Sequence, residues 1–292
     1  LGSSPVAVTV SEAVTTRGGS FSATGVGSFD SSSVAISTLG DITYAAGAYQ
    51  NGGAIHVATT ASGGNVHTGT LITSGSAGAS GASAGSVTLN ADGVLTTSTI
   101  TALGQGTGTG GAVDLTGGSG VHLAGSIDTS GGVAASAAAG GNISVTGPAQ
   151  VSGGDRVLST GAGSGNVVFN GSLDADGTPR GLTVSVGTGN ATFSSTVGGA
   201  SPLGALAVNS AGTTRFDASV AAASVTTDEP GTTLLNGNVT TTSGAQVYHD
   251  IVEVRSGITL GTTNGAVTFL ASPQASYVTG AVIPVDGGWL LR

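Results

Sequence analysis

The side chains best suited to chemistry fall into a few short stretches, and in each the partners that the chemistry needs are absent nearby. Asp174-Ala175-Asp176-Gly177 opens like a calcium loop, in which alternate carboxylates face a hard cation across a turn. The remaining oxygen ligands and the distal Glu are missing, and Asn90-Ala91-Asp92-Gly93 repeats the same text where a tight turn is expected. His56, His67, His122 and His249 stand in different frames, with no His-x-x-x-His spacing and no carboxylate cluster to complete a metal site. Thr160-Gly161-Ala162-Gly163-Ser164-Gly165 imitates the glycine spacing of a dinucleotide loop. That chemistry requires a strand before the loop and a helix after it, so that a helix N-terminus meets the phosphates. The next residues, Asn166-Val167-Val168-Phe169, read as a strand instead. Asp114 and Asp128 stand alone among Gly, Ser and Thr, and six Arg are scattered from Arg17 to Arg292. Glu253 and Arg255 flank Val254 on one strand face, where a surface pair is expected to contribute little. The sequence therefore predicts no catalytic residue, no cofactor and no metal, and the chain is read as a protein that is not an enzyme.

The elements that carry these residues come from one recurring pattern: Gly, then an apolar, a polar and an apolar residue, then a run of Gly, Ser, Thr and Ala. Frames beginning near Gly53, Gly85, Gly111, Gly141 and Gly165 contain Ile55-His56-Val57, Val87-Thr88-Leu89, Val113-Asp114-Leu115, Ile143-Ser144-Val145 and Val167-Val168-Phe169, and Ala191-Thr192-Phe193 continues the series. Alternation with period two is the signature of a strand with one buried face. It places Ile55, Val57, Val87, Leu89, Val113, Leu115, Ile143, Val145 and Phe169 inward and His56, Thr88, Asp114 and Ser144 toward water. A second column aligns Gly69-Thr70-Leu71 with Gly125-Ser126-Ile127 and Gly171-Ser172-Leu173, with Thr99-Ile100-Thr101 as a weaker copy. Each repeat is thus expected to hold two short strands. A single unit of this kind cannot bury its apolar face alone, and stacking identical units does so. The expectation is an all-β, right-handed parallel β-helix of about nine or ten coils, whose spacing of roughly 4.8 Å gives a rod on the order of 45 Å long.

Composition bounds the partners. The chain has 292 residues with 54 Gly, 4% aromatic and 7% charged residues, a thin supply of bulky side chains that suits a narrow core rather than a thick one. Val, Ile and Thr recur periodically, unlike the charge-rich text of disordered chains. A net charge of -9 and isolated Arg residues argue against a nucleic-acid track, and against an anionic membrane surface. There are no Cys, so disulfides and thiolate metal sites are excluded. No apolar run approaches the ~20 residues of a spanning helix, so membrane insertion is not expected. The start at Leu1, without Met or a signal peptide, reads as a processed product or a fragment.

Three regions are expected. Residues 1–52 form N-terminal strands of the solenoid, with Val6, Val8 and Val10 on one face and Phe21, Phe29 and Ile36 as further core candidates. Residues 53–264 form the repeat solenoid, with Gly75 to Gly85 and Gly131 to Gly141 as loops leaving the coil; from Gly212 the units tighten to Thr214-Arg215-Phe216, Thr233-Leu234-Leu235, Ile258-Thr259-Leu260 and Val267-Thr268-Phe269. Residues 265–292 form a last strand and a capping tail that buries Tyr277, Val282, Ile283 and Trp289. A row of Thr97, Thr99 and Thr101 suggests a flat ice- or carbohydrate-binding face only over one coil.

The frames Gly-Asn-Ile-Ser-Val (141–145), Gly-Asn-Val-Val-Phe (165–169) and Ser-Gly-Ala-Gln-Val-Tyr (243–248) resemble the repeats of bacterial filamentous-haemagglutinin-like and related β-strand-repeat surface proteins. This resemblance covers most of residues 20–270. It implies an exported right-handed β-helix at the bacterial cell surface or outside the cell, serving as a structural or adhesive shaft. Its partners would be ligands on host or neighbouring cells, or further copies of itself in fibres. The last residues, Ala266 to Ser272, Ala275 to Gly280 and Val285-Asp286-Gly287-Gly288, instead resemble the C-terminal segment of short-chain dehydrogenases/reductases. That family's base is a Tyr-x-x-x-Lys pair. This chain has no Lys, so Tyr44, Tyr49, Tyr248 and Tyr277 all lack the partner. Two alternatives remain open from sequence: a carbohydrate-active β-helix enzyme, or a chimeric chain with no activity of its own.

Overall fold

The computed structural model describes residues 5–133, 137–228 and 230–269. They form a solenoid-like stack of parallel strands in three long sheets, with one short 3₁₀ turn at Tyr44–Gly47. The coil around Asp114 shows the path. Val113–Gly117 lies in a ten-stranded sheet, Gly120–Leu123 turns into a seven-stranded sheet, and Ile127–Asp128 turns again into a thirteen-stranded sheet. A side loop then returns the chain to Ile143–Thr146, one level along. From Phe21–Val26 through Leu182–Ser185 each coil therefore has three strands where the sequence predicted two; the coils that begin at Ala191–Phe193 and Thr213–Phe216 have two. The unrecognised strand of the three-stranded coils is that of the seven-stranded sheet, exemplified by Val66–Thr68, Val94–Thr97 and Gly120–Leu123.

The ten-stranded sheet follows the sequence frames. Phe21, Ile55, Val87, Val113, Ile143, Val167, Ala191 and Thr214 are successive partners in one register. All the predicted inward residues of this face, from Ile55 to Phe169, are buried, whereas His56 and Asp114 are exposed. The glycine that opens each frame has a steric cause. A Cβ built on Gly85 would collide with the carbonyl of Gly53, one on Gly111 with that of Gly85, and one on Gly141 with that of Gly111. The backbones at this corner approach so closely that only hydrogen fits.

The second column holds in part. Leu71, Ile100 and Ile127 are register partners in the thirteen-stranded sheet and are followed by Leu158 and Val184. Leu173 does not belong to this column: it pairs with Ala149 in the seven-stranded sheet. The late units are also redistributed. Thr214 and Thr233 continue the ten-stranded sheet, but its next member is Val252, in the strand Ile251–Val254. Leu260 pairs with Val239 and Val267 with Gln246, on another face. Here the corner between two faces opens out, and the long strand Val220–Thr227 pairs with both Val239–Thr241 and Gln246–Tyr248.

At the N-terminal end, Phe29 and Ile36 are buried and Phe21 is half-buried against them. Val8 and Val10 pack on the core, whereas Val6 is 72% exposed because the first strand begins only at Ala7. At the other end Val267–Phe269 pairs in parallel with Gln246–Tyr248, and Phe269 stacks on Tyr248 at 5.5 Å between ring centroids. The expected burial of Tyr277, Val282, Ile283 and Trp289 lies outside the described residues.

Candidate functional site

Two parts of the molecule bring functional groups together: a bank of side loops at one corner, and a buried polar cluster in the late coils. The loops leave after the thirteen-stranded sheet and rejoin the ten-stranded one. Their necks are closed by a buried hydroxyl. Thr38 Oγ1 donates to Gly53 O at 2.5 Å, Thr73 Oγ1 to Gly85 O at 2.7 Å, Thr129 Oγ1 to Gly141 O at 2.6 Å and Thr160 Oγ1 to Gly165 O at 3.1 Å. Successive loops also bond one another along the stack, as from Gly52 N to Ser83 O, Ala84 N to Thr109 O and Gly110 N to Ala139 O. The sequence predicts loops leaving the coil at Gly75 to Gly85 and Gly131 to Gly141. The structure adds that they stack with backbone bonds, so their position follows from the coil below.

The first of these loops carries the exposed aromatic side chains of this corner. Tyr44 and Tyr49 are 46% and 43% exposed, and their rings lie 5.5 Å apart at 49°. The Arg17 guanidinium sits 5.6 Å from the Tyr44 ring centroid, as a cation over a ring face. Among the described residues the non-glycine residues with positive φ are Arg17, Ala45 and Ala46, all at this spot. The Asp41 carboxylate accepts from the Thr43 N–H and hydroxyl, which hold its pKa below the usual range, with a smaller contribution from Arg17.

The buried cluster lies where hydroxyls replace apolar side chains in the core. Thr214, Thr227, Thr233 and Asp250 are all buried. Thr233 Oγ1 donates to Asp250 Oδ2 at 2.6 Å, while Asp250 Oδ1, Thr214 Oγ1 and Thr227 Oγ1 have no hydrogen-bond partner among the described residues. Burial pushes the Asp250 carboxyl up, and Asp228 adds to this; the hydrogen bond from the Thr233 hydroxyl opposes it. A carboxyl whose pKa is raised by folding binds its proton more tightly in the native state, so stability falls as pH climbs past its ordinary value of 3.8. Asp250→Asn keeps the acceptor for Thr233 and removes the charge. The expected result is a higher urea midpoint at pH 7 and a flatter dependence of that midpoint on pH above 4.

The residues singled out in the sequence have other work. Asp174 Oδ1 accepts from Ala200 N at 2.8 Å and Ser201 N at 3.1 Å, and Asp176 Oδ2 accepts from Gly153 N at 2.8 Å. Asp176 also pairs with Arg180 at 3.0 Å, which with the Gly153 bond brings its pKa down to about 2. Asp92 similarly accepts from Gly63 N at 2.6 Å. These carboxylates link neighbouring levels rather than converging on one point, and among the described residues no group of three His, Cys, Asp or Glu is placed to hold a metal ion. Thr160 to Gly165 is a side loop between the strands Arg156–Ser159 and Val167–Phe169, so no helix N-terminus meets it. His56, His67 and His122 lie on outer faces of different coils, and His249 Nδ1 contacts Thr227 O at 2.5 Å. Asp114 and Asp128 lie on different sheets. The surface pair expected of Glu253 and Arg255 is not formed; the ion pairs among the described residues are Arg180–Asp176 and Arg215–Asp217. Thr97 points into the core and Thr99 lies exposed outside a strand, so the three threonines form no flat row.

Sequence reasoning missed the asparagine ladder. Asn142 Oδ1 accepts from Asn166 N at 2.9 Å, Asn166 Oδ1 from Asn190 N at 2.8 Å, and Asn190 Oδ1 from Thr213 N at 2.8 Å. The signal was present, because each Asn directly follows a frame glycine. Asp250 carried no such signal. No protein-family model matches the chain, and neither do the curated proteins or the solved structures with which it was compared.

Proposed function

We propose that the chain is a structural and adhesive segment of a bacterial cell-surface or secreted protein, a right-handed β-helix of about nine or ten coils that extends and presents interaction surfaces. The observation that carries the reading is the continuous register of the ten-stranded sheet, with polar side chains such as Asn142, Asn166 and Asp174 engaged in coil-to-coil bonds. Such a body displays loops at fixed spacing along its length, which suits contact with ligands on host or neighbouring cells, or with further copies of the same chain. It has no catalytic residues, cofactor or metal in this reading, and it neither binds nucleic acid nor inserts in a membrane. The dehydrogenase-like tail contributes no oxidoreductase activity, since no Lys accompanies any Tyr.

Two measurements test the reading. The gene on either side of this segment is expected to encode further repeats or a secretion domain; a catalytic domain fused to the repeats would replace it with a β-helix enzyme. Titration of nicotinamide cofactors, followed by Trp289 fluorescence, is expected to give no saturable signal. Micromolar saturation would overturn the absence of oxidoreductase activity in this reading.

A further inference from the structure

We propose that Tyr44, Tyr49 and Arg17 form a shallow binding site for a carboxylate-bearing sugar, a uronic or sialic acid unit of a glycan. The proposal rests on the reading of the chain as a presenting segment and names the ligand class of one loop. Three observations converge on it. The loop exposes Tyr44 and Tyr49 as two tilted rings 5.5 Å apart, an arrangement that offers flat apolar area with hydroxyls at the rim. A pyranose has the matching character, with an apolar C–H face and a polar edge. Next, the Arg17 guanidinium is exposed and held over the Tyr44 ring, and it forms no ion pair with a described carboxylate. Asp41 is close enough to feel Arg17, yet its Oδ1 is engaged by Thr43. In a chain of net charge -9 this is a local cation beside an aromatic surface, and guanidinium recognises carboxylate through two parallel N–H donors.

The backbone supplies the third observation. Arg17, Ala45 and Ala46 take left-handed φ values of 52°, 47° and 54° without being glycine. Such conformations carry a cost that neighbouring structure must offset. Here the loop is fixed by the Thr38–Gly53 neck, by Asp41 N donating to Tyr49 O at 2.8 Å and by Ile42 N donating to Ser76 Oγ at 2.9 Å. A site ordered before its ligand arrives loses less freedom on binding. Leu39 and Ile42, close by in sequence, are each 40% exposed and add apolar surface to this loop. A sugar rather than a peptide is favoured because the adjacent loops offer mainly Gly, Ser, Ala and backbone amides, with few apolar side chains to enclose a peptide residue.

The test titrates the full chain with hexagalacturonate, with its methyl ester and with a sialyl trisaccharide, following heat and the chemical shifts of the tyrosine rings. At least one of the two acids is expected to bind with saturation and to perturb Tyr44 and Tyr49, while the ester binds at least tenfold more weakly. Arg17→Gln and Tyr49→Ala should each weaken the acid by about tenfold or more, as loss of a charged hydrogen bond or a stacked ring does. Both positions are exposed, and an unchanged circular dichroism melt separates loss of the site from loss of the fold. Arg17→Lys is expected to retain only part of the affinity. Absence of binding by both acids, equal binding of the ester, preference for an unrelated peptide, or binding unaffected by Arg17→Gln and Tyr49→Ala would each overturn the site. In the last case the presenting role would stand with its contact elsewhere; a catalytic domain in the flanking gene would remove that role without deciding this site.

Discussion

Val113→Asp is expected to abolish the cooperative unfolding transition or to lower stability by about 3–5 kcal/mol, the cost of leaving a charge buried without a partner. Val113 is fully buried, and its register partners are Val87 on one side and Ile143 on the other. Leu115 lies two residues along the same inner face and is equally enclosed. A carboxylate there has an aliphatic register partner on each side, so it must either take up a proton or draw water into the core. In a stacked architecture the damage reaches both neighbouring levels, because each coil is stabilised by the two beside it. Urea denaturation of the full chain, followed by far-ultraviolet circular dichroism, reads the effect. Asp114, the next residue, provides the control: Asp114→Val changes an exposed position and is expected to shift the midpoint little. Equal effects of the two substitutions would mean that the inner and outer faces had been exchanged.

The inner and outer faces were legible because period two along a strand and glycine at the frame start are independent signals that agree. Alternation identifies the buried side, and the glycine marks the corner at which successive backbones nearly touch. The third strand of the earlier coils was harder to see. Val66–Thr68 and Gly120–Leu123 are short and begin within a few residues of the preceding strand's end, with turn residues of the same Gly, Ser and Asn vocabulary between them. Leu173 shows how that vocabulary misleads. Gly125-Ser126-Ile127-Asp128 and Gly171-Ser172-Leu173-Asp174 match in text but turn different corners, since both corners need small residues and a short strand. Spacing distinguishes them: Ile127 lies fourteen residues beyond Val113, and Leu173 only six beyond Val167.

The candidate sites were less legible than the fold. Tyr44 and Tyr49 were visible as tyrosines, but their approach to Arg17 depends on a contact between two levels of the stack. The same holds for Asp250, whose burial arises from the strands carrying Thr214, Thr227 and Thr233. Threonine is acceptable in strands for its β-branched shape whichever way it faces. Alternation puts Thr214 and Thr233 in the inward phase with Phe216 and Leu235, but it does not show which of these hydroxyls meets a carboxylate there.

Phe193→Ala is expected to cost about 3–5 kcal/mol, the upper range for truncation of a buried side chain. Phe193 is buried between Phe169, at 5.4 Å and 8° between planes, and Phe216, at 4.8 Å and 14°. The column is aliphatic on both sides of this stretch, with Val145 beside Phe169 and Leu235 beside Phe216. Truncation removes one ring's own burial and leaves the facing surfaces of both neighbours without a partner, so the cavity opens into two levels at once. Phe193→Leu is expected to cost less, because leucine keeps most of the apolar volume and already occupies equivalent positions in the column. A double-mutant cycle of Phe169→Ala with Phe193→Ala separates ring stacking from simple burial, and a coupling of about 0.5–1.5 kcal/mol is expected. Phe269→Ala offers the contrast at the end of the described stack. That ring also stacks, on Tyr248, but it is 38% exposed and among the described residues has a ring neighbour on one side, so its loss should shift the midpoint far less than that of Phe193.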